Sequence, residues 1–185
     1  MKNMKKILVL SLAALLLVAV SVGGTVAYLT AQTTTVTNTF TESKVNITLT
    51  ETTGETYKMV PGADIAKDPR VNVLANSEAC WVFVKIEKEN NFDTFLSFDV
   101  ADGWSELDGV SGVYYREVAA SAANQDFNVL KDNKVVVSED VTNEQMNALT
   151  ATTRPQLKFT AYAVQKAGFA NAAAAWAELN PTTGE

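Results

Sequence analysis

The sequence predicts a mainly β protein: an antiparallel β-sandwich, jelly-roll-like or immunoglobulin-like in outline, with two short helices and a signal-peptide helix ahead of it. Three observations carry this. About seven or eight segments either alternate apolar and polar residues with period two or carry β-branched runs. Pro-Gly and Gly-rich breaks separate them. Only two stretches read as helix.

The chain opens with Lys2, Lys5 and Lys6 ahead of an apolar run from Ile7 to Val22, then Gly23-Gly24-Thr25-Val26-Ala27. A basic start, an apolar middle and small residues at the end are the layout of a secretory signal peptide. Thr25 and Ala27 are small enough for the two specificity pockets of a signal peptidase, which places the cut after Ala27 and makes Tyr28 the mature N-terminus. The alternative is an uncleaved anchor. The run is short of the ~20 residues of a membrane span, and Gly23-Gly24 breaks the helix at the expected cut. Three units follow: signal peptide 1–27, an extended N-terminal strand or linker 28–41, and a β-sandwich domain 42–185 with a C-terminal helix.

Residues 30–56 are dense in threonine, which is β-branched and favours extended backbone. Within them Val45-Asn46-Ile47-Thr48-Leu49-Thr50 alternates and reads as a half-buried strand. The earlier part, through Thr33, Val36 and Phe40, has the propensity but few apolar anchors. It is either an extended segment not docked on its own core, or a floppy polar terminus or stalk. Met59-Val60-Pro61-Gly62 reads as a turn. Arg70–Leu74 and Cys80–Glu87 are strands. In the second, Trp81 and Phe83 face one way, with Lys85 after them, and Cys80, Val82, Val84 and Ile86 face the other, as in a central strand covered on both sides. Val113–Val118 is a further strand. Phe127–Leu130 and Val135–Val137 are expected to pair as a hairpin about the turn Lys131–Lys134. Thr142-Asn143-Glu144-Gln145 is a capping box opening a helix through Leu149. Gln156–Val164 alternates, with Leu157, Phe159 and Ala161 on one face and Lys158, Thr160 and Tyr162 on the other. Phe169–Leu179 is alanine-rich and helical, with the stripe Phe169, Ala172, Ala173, Trp176 and Leu179 expected against the sheet.

Composition excludes several functions. The chain of 185 residues carries 15 basic and 21 acidic side chains. Three of the basic ones lie in residues 1–27, so the mature balance is 12 − 21 = −9. An acidic product of this kind repels nucleic acid and anionic membranes; contact with a membrane is expected only before cleavage. Histidine is absent, which removes the commonest general base, the usual zinc ligand and the Ser-His and Cys-His nucleophile pairs. Nothing marks a paired-carboxylate site, so no catalytic residue, metal or cofactor is assigned and the chain is read as no enzyme. Asp64, Asp68, Asp99, Asp102 and Asp108 lie where oxygen ligands for calcium could gather, but without the EF-hand pattern they read as solvated loop acids. Cys80 is the sole cysteine, so no intramolecular disulfide exists, and its apolar surroundings make it a small core residue. Asn46-Ile47-Thr48 is a formal glycosylation sequon. The ending Leu179-Asn180-Pro181-Thr182-Thr183-Gly184 only faintly echoes a sortase signal.

The Gly24-Thr25-Val26-Ala27 tail followed by an aromatic and a Thr/Val-rich strand resembles substrates of the SipW-type signal peptidase of Firmicutes. Asn38-Thr39-Phe40-Thr41 with Lys44–Leu49 is similar to the first mature strand of the TasA/camelysin (CalY) biofilm-matrix proteins. Val60-Pro61-Gly62 through Lys67-Asp68 is similar to their Pro-Gly turn, Ala79–Glu87 to the strand that follows, and Leu157–Gln165 to their last core strand. Residues 90–150 carry no such likeness, and the alanine-rich C-terminal helix departs from TasA and suggests a clostridial relative. The resemblance implies a secreted jelly-roll subunit of a Gram-positive bacterium that polymerises into extracellular matrix or cell-surface fibres. Its N-terminal strand, freed by signal cleavage, adds to the sheet of the next subunit. The donor would comprise Tyr28, Leu29, Thr33, Val36 and Phe40. The implied partners are the signal peptidase, further copies of the chain and a fibre-anchoring protein. Two alternatives stand beside this: a monomeric surface adhesin or matrix accessory, and a camelysin-type metallopeptidase, which the missing His-Glu-x-x-His helix disfavours.

Overall fold

A computed structural model describes residues 44–54 and 56–179, all within the compact unit Glu42–Glu185. Among these residues the protein is mainly β, with ten strands in three antiparallel sheets and three short helices rather than two. The strands are β1 (Ile47–Thr50), β2 (Asp64–Ala66), β3 (Arg70–Val73), β4 (Cys80–Glu89), β5 (Leu96–Ser97), β6 (Ser105–Glu106), β7 (Val113–Val118), β8 (Gln125–Asn128), β9 (Lys134–Val137) and β10 (Gln156–Gln165). The helices are α1 (Phe92–Phe95), α2 (Asn143–Asn147) and α3 (Ala172–Leu179). Sheet order is β1-β3-β8, β10-β4-β7-β6 and β2-β9-β5. No described helix is long and apolar enough to cross a membrane.

Strand β4 organises the core, because both of its faces are apolar. Cys80, Val82, Val84 and Ile86 enter one cluster with Val71 and Val73 of β3 and Val135 of β9, so residues of all three sheets share it. Trp81 and Phe83 enter a second cluster with Val113, Leu107 and the α3 alanines Ala172 and Ala175. Burial of one such large side chain contributes about 1.5–3 kcal/mol. β4 and β10 pair along their whole length, from Gln156 opposite Glu89 to Gln165 opposite Cys80. The alternation of β10 follows: Leu157, Phe159, Ala161 and Ala163 turn to the first cluster, Tyr162 and Val164 to the second.

The α2 capping box is present: the Thr142 hydroxyl accepts from Gln145 N at 3.2 Å, and the Gln145 side chain accepts from Thr142 N at 2.8 Å. Helix α3 begins at Ala172, not Phe169; Asn171 caps it by accepting from Ala174 N at 2.9 Å. Its docked face is Ala172, Ala175, Trp176 and Leu179, with Phe169 just ahead, while Ala173 is exposed. The expected stripe therefore had one alanine wrong: spacing of three and four from Ala172 reaches Ala175 and Trp176, and Ala173 lies a hundred degrees round the helix.

The expected hairpin between Phe127–Leu130 and Val135–Val137 does not form. β8 pairs with β3, and β9 pairs with β2 and β5. Asp132 and Asn133 take the two successive left-handed conformations, φ 55° and 51°, that a tight hairpin needs. The chain on their N-terminal side is nevertheless claimed elsewhere: Val129 N donates to Pro69 O at 2.9 Å, Lys131 N donates to Asp99 O at 2.9 Å, and Leu130 bridges to Val100. Val129 and Leu130 are fully buried, so core burial sends the chain from one sheet to another.

Candidate functional site

The residues singled out for cleavage and strand donation, namely Thr25, Ala27, Tyr28, Leu29, Thr33, Val36 and Phe40, lie outside the described residues. What the described residues offer is the surface such a strand would meet. Each sheet ends in strands paired on one side only: β1 and β8, β10 and β6, β2 and β5. Two of these, β2 and β10, flank a groove of about 1120 Å³.

The groove is lined by apolar side chains together with four basic ones, two of which are ion-paired. Ile65 of β2 and the segment Thr56–Val60 form one wall, and Pro155 with Gln156–Lys158 forms the other. Phe92, Leu96 and Val135 reach it from the core, and Met146 and Leu149 from α2 and the turn after it. Lys58, Lys67, Arg154 and Lys158 also line it, Lys158 paired with Glu89 at 2.7 Å, and among the described residues no carboxylate belongs to the lining. Val60, at its edge, is 58% exposed, unusual for an apolar side chain beside a core.

The Pro61-Gly62…Lys67-Asp68 segment builds one wall. Ala63 N donates to Val60 O at 3.0 Å, closing a turn in which Gly62 adopts φ 75°. Lys67 and Asp68 then fasten the loop that follows β1. Lys67 pairs with Glu51 at 2.5 Å, and its ammonium lies 5.1 Å from the Tyr57 ring centroid and 5.6 Å from that of Phe159. Asp68 accepts from the Thr52 hydroxyl at 2.5 Å, from Thr52 N at 2.9 Å and from Thr53 N at 3.0 Å. These donors, the Thr52 hydroxyl foremost, hold the Asp68 carboxyl well below the usual carboxylate range. Tyr57 donates from its hydroxyl to Glu51 at 2.8 Å and to Gly54 O. The wall is thus fixed by polar staples, which sequence reading missed because they join residues far apart in the chain.

The other acids considered for calcium do not converge. Asp64 pairs with Lys134 at 2.9 Å, and among the described residues no group of three His, Cys, Asp or Glu side chains could hold a metal ion. Cys80 is fully buried, and burial pushes its thiol up to about 11. Arg116 lies among aromatic rings. Its guanidinium carbon lies 3.8 Å from the Phe127 centroid and 5.2 Å from that of Trp104, and its Nε is buried without a partner. The two rings offset part of that desolvation.

No protein-family model, no curated protein and no solved structure matches this chain.

Proposed function

We propose that the protein is a secreted, non-enzymatic structural subunit of extracellular biofilm-matrix or cell-surface fibres, a jelly-roll-like β-sandwich assembling by N-terminal strand addition after a SipW-type peptidase removes residues 1–27. The observation that carries this reading is the pairing of two features. The chain holds a threonine-rich tract, residues 28–41, free of proline and of lysine, arginine and aspartate. The described domain holds end strands, β2 and β10, whose outer backbone groups pair with no described strand and flank an apolar groove. An incoming strand satisfies such an edge and buries its apolar side chains in the same step. A donor and an acceptor on different parts of one chain give a head-to-tail contact, which grows without closing. An anchoring protein would then need only to present one donor or one groove.

Electron microscopy of mature protein, beside a form lacking residues 28–40, tests the proposal. Fibres from the first and dispersed particles from the second are expected. Equal behaviour of the two removes strand donation; if both stay dispersed, the monomeric adhesin replaces it.

A further inference from the structure

We infer that the β2/β10 groove binds a single-chain anionic amphiphile of the fatty-acid class, with its acyl chain along the apolar lining and its carboxylate met by Lys58 and Arg154. The inference concerns the dispersed chain and stands apart from strand addition: loss of fibre growth would leave it intact. The lining sets the apolar half of the ligand. Met59 and Ile65 belong to one wall and Leu157 to the other, and Leu96, Met146 and Leu149 complete the apolar surface. Met59 and Met146 are the only methionines of residues 28–185, and both line this groove. A thioether side chain is unbranched and polarizable, so it conforms to a flexible partner such as an acyl chain. A groove of about 1120 Å³ is ample for one small molecule, whose sites span about 300–1,000 Å³.

Charge sets the other half. Residues 28–185 carry 12 basic and 21 acidic side chains, yet four of the basic ones line the groove and no described carboxylate does. Two of the four are already neutralised, Lys67 by Glu51 at 2.5 Å and Lys158 by Glu89 at 2.7 Å. Lys58 and Arg154 have no ion pair among the described residues. Lys58 stands beside Met59 on one wall, and Arg154 beside Pro155 of the other. The Arg154 backbone is held in place: its N donates to Thr150 O at 3.2 Å, and its O accepts from Asn90 Nδ2 at 2.9 Å. Two unpaired cations next to apolar surface suit an anion that carries its own apolar tail. A hydrophilic anion would leave the methionines and leucines in water. A neutral oil would cover the cations without pairing them. The acidic surplus of the chain opposes an intact anionic bilayer, so the amphiphile enters as a single molecule.

The test uses the chain starting at Tyr28, cleared of assemblies by centrifugation, with its methionine methyl groups isotopically labelled for NMR. Laurate, titrated below its micelle concentration, should bind one to one by calorimetry and shift both methyl signals, those of Met59 and Met146. Decanoate should bind roughly five- to tenfold more weakly than laurate, the loss expected for two methylenes in an open groove. Dodecanol, equally long but uncharged, should also bind about tenfold more weakly than laurate. In the double variant Lys58→Gln/Arg154→Gln, laurate should fall to the level of dodecanol, while dodecanol binding and the ligand-free melting temperature stay as in wild type. A merely structural role for the two cations would not separate laurate from dodecanol in this way. Absence of saturable laurate binding overturns the inference. Binding that leaves both methyl signals in place, or that the double variant retains in full, also overturns it. Binding to phosphatidylglycerol vesicles without binding to free laurate overturns it in favour of a membrane surface.

Discussion

Asp68 is gripped by Thr52 through two hydrogen bonds, 2.5 Å from the hydroxyl and 2.9 Å from the backbone N–H. Residues sixteen apart thereby fix the loop that leads from β1 into the groove wall. Both donors favour the ionised carboxylate, so the folded carboxyl titrates below its unfolded value of about 3.9. The sign follows: the contribution is present above about pH 4 and is lost as pH falls through the depressed folded value. Asp68→Ala should melt below wild type at pH 6, and the gap should narrow steadily as pH drops from 4 toward 2. A gap that is constant with pH, in scanning calorimetry, would contradict the assignment.

Gly112 and Gly109 make a matched pair. Both adopt positive φ, 74° and 75°. A Cβ at Gly112 would lie 2.7 Å from the Ile86 carbonyl oxygen, whereas one at Gly109 meets nothing within 4 Å. Gly109→Ala should cost about 1 kcal/mol for the backbone conformation alone. Gly112→Ala should cost about 2–4 kcal/mol, since the Ile86 N to Gly112 O hydrogen bond at 2.8 Å must also shift. Equal denaturant midpoints for the two variants would refute the contact.

Phe83 is fully buried, 5.2 Å from the Trp176 ring centroid and 6.4 Å from that of Tyr115. Phe83→Ala should destabilise by about 3–5 kcal/mol. It should also raise the solvent exposure of Trp176 fluorescence in the folded baseline, because α3 loses its main ring contact on β4.

Cys80 should stay silent toward a thiol reagent in the folded protein at pH 8 and react at once in denaturant. Its folded value, about 11 against an ordinary 9.0, is raised. The stability it contributes is therefore complete below about pH 9 and declines as pH rises toward 11. Cys80→Ala should flatten that alkaline decline in melting temperature; an unchanged decline would assign it to other groups.

The long strands were legible because their apolar pattern is self-sufficient: β4 presents two apolar faces, and β7 and β10 hold their limits to within a residue or two of the reading. The short strands were not. Asp64–Ala66, Leu96–Ser97 and Ser105–Glu106 are strands only because a partner lies beside them, and no local pattern announces that. Helix α1 follows two left-handed asparagines, Asn90 at φ 56° and Asn91 at φ 55°, in a stretch to which the sequence pattern assigns no element. The hairpin expectation weighed local turn chemistry and left out the burial of Val129 and Leu130. The groove was illegible for a stronger reason. Its walls come from residues 56–67, 92–96, 135 and 146–158, which only the folded chain brings together. The Pro61-Gly62 turn and Lys67-Asp68 did stand out in the sequence, and they prove to fasten one of those walls.

The lone, sealed thiol sets how this domain meets its surroundings. With one cysteine in the whole sequence and that one enclosed by β4 and its neighbours, no covalent bond of the fold is made or broken by oxidant or reductant. The domain needs no oxidoreductase to mature and loses nothing to glutathione. Its cohesion is the same in a reducing compartment as in open air.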